Sequence, residues 1–100
     1  MPKFLLEASY TADGVRWVAE KGATPRRDEV AQMIAARGGT MECFYFAFGD
    51  ADVYAVADLP SNEAATALAL AINGSGSVAV KTVVLLTPEE VDAAGKSLPS

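Results

Sequence analysis

Residues 44–54 read FYFAFGDADVY, and how this stretch folds decides the architecture. Phe44, Phe46 and Phe48 alternate with Tyr45 and Ala47. Gly49-Asp50-Ala51-Asp52 then interrupts, and Val53-Tyr54 resumes. Glycine between short acidic residues is turn chemistry, so two antiparallel strands are predicted, over 40–48 and 52–58. Whether the loop holds two or four residues, Phe44, Phe46 and Phe48 share one face with Val53, Ala55 and Ala57. Large side chains opposite small ones suit packing against helices. A strand with one solvated face alternates apolar and polar. Here the opposite face, with Cys43, Tyr45, Tyr54 and Val56, is apolar as well and also needs a cover.

Working outward, Lys3 to Tyr10 alternates as a strand, with Phe4, Leu6 and Ala8 on one face and Leu5, Glu7 and Ser9 on the other. Thr11 or Asp13 caps a helix whose apolar stripe starts at Val15 and Val18. Gly22 breaks that helix near Lys21 to Ala23. Thr24 then caps a continuation with Pro25 at its first position, carrying Val30, Met33 and Ile34. Gly38 is placed for a left-handed stop. After Leu59-Pro60, Ser61 or Asn62 opens a helix to about Ile72, with Ala65, Leu68, Ala69 and Ile72 facing inward. Asn73-Gly74-Ser75-Gly76 ends it. It follows a helix and precedes a strand, the reverse of a phosphate-binding turn. Ser77 to Leu86 is a fourth strand. Thr87-Pro88-Glu89-Glu90 opens a short last helix through a capping box.

The order βαββαβ is the split βαβ, ferredoxin-like motif of the α+β class: a four-stranded antiparallel sheet, both main helices on one face, and a tail helix. One domain, residues 1–100, accounts for the chain. The second face gathers Leu5, Glu7, Cys43, Tyr45, Tyr54 and Val56, with Lys81, Val83 and Leu85. It is too apolar to stay in water. A second copy packed sheet to sheet about a two-fold axis covers it in one reading, and the tail helix in the other. The second copy is the expectation.

Composition excludes several functions. Eight basic residues face thirteen acidic ones, for a net charge of −5, and only Arg26-Arg27 are adjacent. Nucleic acid and anionic membranes need a basic stripe and are not expected partners. There is no histidine and only one cysteine, Cys43. The usual metal ligands and the nucleophile–histidine pairs are therefore missing, and no metal or cofactor is expected. A lone cysteine suits a reducing compartment, and MPKFLLEASY has too short an apolar run for a secretory leader. The expectation is a cytoplasmic protein.

ASYTADGV at 8–15, the Arg26-Arg27 helix start, FYFAFGDADV at 44–53, DLP at 58–60 and VLLTPEEVD at 84–92 occur in that order. Over nearly its whole length the chain thus resembles the GYD domain family. The resemblance implies a small bacterial protein grouped with the dimeric α+β barrels. It carries no assigned activity, so no catalytic residue transfers. The family's turn usually has tyrosine before the second aspartate, where this chain has Ala51.

Three groups are candidate sites. Gly49, Asp50 and Asp52 form either a tight turn, with glycine supplying a positive φ, or a carboxylate pair for acid–base or cation chemistry. Glu7, Tyr45, Tyr54 and Lys81 on the second face are either an interface with a cross-strand ion pair or an acid–base constellation. Tyr10, Trp17, Arg26 and Arg27, near the broken helix, either pack and solvate or form a cleft for an anion. Cys43 becomes reactive only with Lys81 close by. The leading expectation is a homo-oligomer binding a small ligand in a sheet–helix or inter-subunit pocket. The alternative is a cofactor-independent oxygenase, isomerase or dehydratase acting on a small aromatic or carbonyl compound.

Overall fold

The computed structural model describes residues 1–99. Its elements are β1 (Lys3–Tyr10), α1 (Ala12–Lys21), α2 (Ala23–Ala35), β2 (Thr40–Phe46), β3 (Val53–Asp58), α3 (Asn62–Asn73), β4 (Val78–Leu85) and α4 (Pro88–Lys96). The strands form one antiparallel sheet in the order β2-β3-β1-β4. This is the ferredoxin-like α+β arrangement.

Caps and glycines set the helix ends. The Thr11 hydroxyl accepts the Gly14 N–H, and the Ser61 hydroxyl accepts that of Ala64. Thr87 and Glu90 close a reciprocal capping box at α4, each bond 3.1 Å. The break between the first two helices falls at Gly22, whose φ of 104° few other residues tolerate. Its N–H closes α1 on the Val18 carbonyl at 2.8 Å. Thr24, expected as the cap of α2, lies inside the helix instead. Gly22 occupies the N-cap, and no side chain bonds there. Gly38, at φ 78°, supplies the left-handed stop beyond α2.

The core lies between the sheet and the helices. Register places Phe4 opposite Ala57 and Leu6 opposite Ala55, with Phe44 and Phe46 opposite Ala55 and Val53. Large-on-small pairing leaves room for Val30 and Ile34 of α2 and for Ala65, Leu68 and Ile72 of α3, all buried. Ala69 is only half-buried. In α1 the buried residue is Gly14, whereas Val15, expected to head the apolar stripe, is exposed.

The hairpin corrects one expectation. β2 ends at Phe46, and Phe48 leaves the sheet with a φ of 57° and 62% of its surface exposed. The loop closes through Ala47 N–H to the Asp52 carbonyl and Gly49 N–H to the Ala51 carbonyl. The left-handed residue is therefore Phe48, not Gly49. Phe48 still stacks on Phe46, ring centroids 5.9 Å apart, but it does not join the core.

The second face is open. Tyr45 is 68% exposed, and Val83 is exposed too. The tail helix does not cover it: α4 buries none of its side chains, and the molecule measures 57 × 28 × 21 Å. Among the described residues, no helix is long and apolar enough to cross a membrane.

Candidate functional site

Tyr10, Trp17 and Arg26 come together, as the sequence suggests, in a cleft where β1, α1 and α2 meet. Its volume is about 140 Å³, and Gly14, Val18, Glu29, Ser75 and Ser77 complete the lining. Tyr10 ends β1 on the helix side of the sheet, opposite Val78. Trp17 sits one turn beyond Gly14 on α1. A Cβ on Gly14 would lie 2.3 Å from the Ser77 carbonyl oxygen and 3.0 Å from the Tyr10 ring. Glycine is therefore what lets α1 approach the strand end and hang Trp17 over the cleft. The Ser77 carbonyl accepts the Thr11 N–H at 3.0 Å, which ties the loop after α3 to the start of α1.

Arg26 is held from both sides. Its side chain is only 14% exposed, and its Nη1–H donates to Glu29 Oε1 at 2.9 Å. The guanidinium carbon lies 5.8 Å from the Tyr10 ring centroid, within cation–π range. The Nε–H is buried and meets no acceptor. Burial pushes the Tyr10 phenol above its ordinary pKa, while the neighbouring guanidinium pulls the other way. Arg27 points elsewhere and pairs with Asp28 on the surface.

The turn aspartates separate in role. Asp52 Oδ2 accepts the Tyr10 N–H at 2.8 Å, and the Asp52 N–H donates to the Ala8 carbonyl at 2.8 Å. Asp52 thus staples the hairpin to the end of β1 and steadies Tyr10. Asp50 is exposed, and it lines a shallow hollow of about 130 Å³ on the open face with Glu7 and Lys81.

On that face the second constellation is a row. Tyr45 lies opposite Tyr54, Tyr54 opposite Glu7, and Glu7 opposite Lys81, one residue from each strand. Among the described residues, no ion pair joins Glu7 to Lys81. The face's ion pairs lie at its other end, where Lys3 donates to Glu42 at 2.6 Å and Asp58 at 2.9 Å, and both carboxylates raise its pKa. Cys43 and Lys81 occupy opposite edge strands, so Lys81 does not activate the thiol of its own chain. Among the described residues no cluster of potential metal ligands forms.

Sequence reasoning missed Glu29, Ser75 and Ser77. Glu29 had a local signal, since it stands three positions after Arg26 on a helix. The serines had none, because only the tertiary fold brings that loop to α1. The Asn73 side chain also does more than end a helix, since its Oδ1 accepts the Val80 N–H at 2.7 Å and anchors that loop.

An antiparallel βαββαβ sheet with one helix-covered face and a cleft at its rim defines a small ferredoxin-like α+β protein. The GYD domain model matches residues 4–94, and the chain belongs to the GYD domain family. Comparison with curated proteins and with solved structures gives no match.

Proposed function

We propose that this chain is a homodimeric small-molecule-binding protein of the cytoplasm. The ligand lies in the cleft of Tyr10, Trp17 and Arg26, and a second copy covers the open sheet face. One observation carries the binding reading. Two aromatic rings and a shielded guanidinium, from three different elements, converge on a cavity of about 140 Å³. Concave sites where aromatic surfaces meet a few convergent polar groups are where small molecules bind, and a cleft of this size suits a small one. The cleft is on the helix side, so sheet-to-sheet pairing leaves it accessible.

The dimer reading is supported by the apolar open face and by the row across it. Glu7 and Lys81 are unpaired with each other within one chain, which leaves each free to meet an opposite charge on a two-fold mate. The half-buried, unpaired Cys43 suits a reducing compartment.

A screen of small organic fragments by amide and indole chemical shift tests the binding reading. Shifts should concentrate on the Trp17 indole N–H and the Gly14 and Ser77 amides. Shifts confined to the open face, or to no region, would contradict it.

A further inference from the structure

Arg26 lines two spaces. Outside it is the cleft, and inside it is a small void of about 20 Å³ between the sheet and α2, walled by apolar residues such as Leu6, Val30 and Ile72. Space of that size holds roughly one water molecule. The guanidinium is thus a polar plate between an aromatic mouth and an apolar interior. Of its donors, Nη1 bonds to Glu29, whose side chain is itself 48% exposed, and Nε is buried with no acceptor. Arg37 also has an unpartnered Nε, but it bonds the Met33 carbonyl and lines neither of these two spaces.

The part of the guanidinium that lines the cleft matches a carboxylate, which such a planar group grips through two parallel bonds. The Glu29 carboxylate already shows that such a group can sit there, and because Glu29 is itself half-exposed its single bond is weak and readily exchanged. The rest of the lining selects what the carboxylate is attached to. Trp17 and Tyr10 present ring surfaces, and Ser75 and Ser77 leave a neutral rim. A dianion is disfavoured, because one arginine faces it while Glu29 stands beside it and the chain as a whole carries −5.

We propose that the cleft recognises a monocarboxylate with a flat apolar body. Its carboxylate exchanges with Glu29 on the Arg26 fork, and its body lies against Trp17 and Tyr10. This rests on the reading of the cleft as the ligand site and names the class of ligand.

Trp17 is the only tryptophan, so its fluorescence reports the cleft directly. Titrate the intact protein with benzoate, benzamide and inorganic phosphate, and repeat with Arg26→Gln and Arg26→Lys. Benzoate should change Trp17 emission saturably. Benzamide should bind roughly tenfold more weakly or worse, given what a charge-assisted bond contributes. Phosphate should not compete. Both variants should lose affinity by a similar factor, because lysine keeps the charge but not the fork. Arg26→Lys serves as the test if Arg26→Gln does not fold. Equal binding of benzoate and benzamide, competition by phosphate, or full affinity in Arg26→Lys would overturn the ligand class and leave the cleft reading standing. No response to benzoate or benzamide at millimolar levels would overturn the cleft reading itself.

Discussion

The two faces of one sheet are built from the same strands and meet opposite fates. Along β3, Val53, Ala55 and Ala57 are buried under the helices, while Tyr54, Val56 and Asp58 are half-buried on the other side. Neither set is polar enough to read as a solvated face. The difference is size and partner. The helix side matches small residues on β3 to phenylalanine and leucine on β1 and β2, and α2 and α3 close over them. The open side carries tyrosines at its centre and receives no helix. Apolar content alone therefore does not mark a core. What marks it is complementary volume from another element of the same chain. Where that is missing, the face stays open in the single chain, and the proposal is that a second copy covers it.

The largest effect is expected on the open side. Tyr54→Glu would set a second carboxylate opposite Glu7 and bury it in the interface. An uncompensated buried charge costs about 3–5 kcal/mol, so the dimer dissociation constant should rise by roughly two to four orders of magnitude while the folded chain persists. Sedimentation across a concentration series measures this. Unchanged association would mean the face is not the interface.

Next comes the helix side. Leu68→Ala removes a side chain that is 1% exposed, and such truncations cost about 2–5 kcal/mol. Urea unfolding at fixed protein concentration should show that loss. Val83→Ala, on the open face, removes no core contact, so with the protein diluted until it is monomeric, urea unfolding should change by about 0.5 kcal/mol or less.

At the rim, Tyr10 links the sheet to the cleft. Burial raises its pKa in the folded state above the unfolded value of about 10. The sign follows: below pH ~10 the group leaves stability unchanged, and above it stability falls as pH rises through the raised folded value. In an alkaline absorbance titration the Tyr10 phenol should ionise late. Tyr10→Phe should remove that late step and soften the alkaline loss of stability. If the late step survives, the phenol is not the shielded group.

The smallest effect belongs to the tail. α4 buries none of its side chains, so a chain ending at Leu86 should match the full chain within about 0.5 kcal/mol in unfolding. A large loss would show that the tail helix carries part of the fold.

The sequence made the fold legible where signals are local. Alternation located β1, the turn chemistry of Gly49–Asp52 located the hairpin, and hydroxyl caps located α1, α3 and α4. Parity then sorted β2 and β3 onto the correct faces, up to Phe46. Phe48 was misread because alternation cannot see where a loop pulls the chain out of the sheet. Thr24 looked like a cap, but the sharp bend at Gly22 starts α2 earlier.

The cleft was half legible. Tyr10, Trp17 and Arg26 are large polar-aromatic residues near a helix break and draw attention by type. Gly14 appears in the sequence as part of a turn, yet its task is close packing against Ser77. Ser75 lies some way along the chain in what reads as a helix stop, and Ser77 in what reads as the start of the fourth strand. Their place at the cleft depends on β4 pairing with β1, a long-range contact that no short window of sequence reports.

The central claim is that the open sheet face is closed by a second copy. Native mass spectrometry of freshly purified protein at micromolar concentration tests it most directly. The account predicts a mass of twice the 10.4 kDa chain. A species of one chain, with the face left in water, would contradict it.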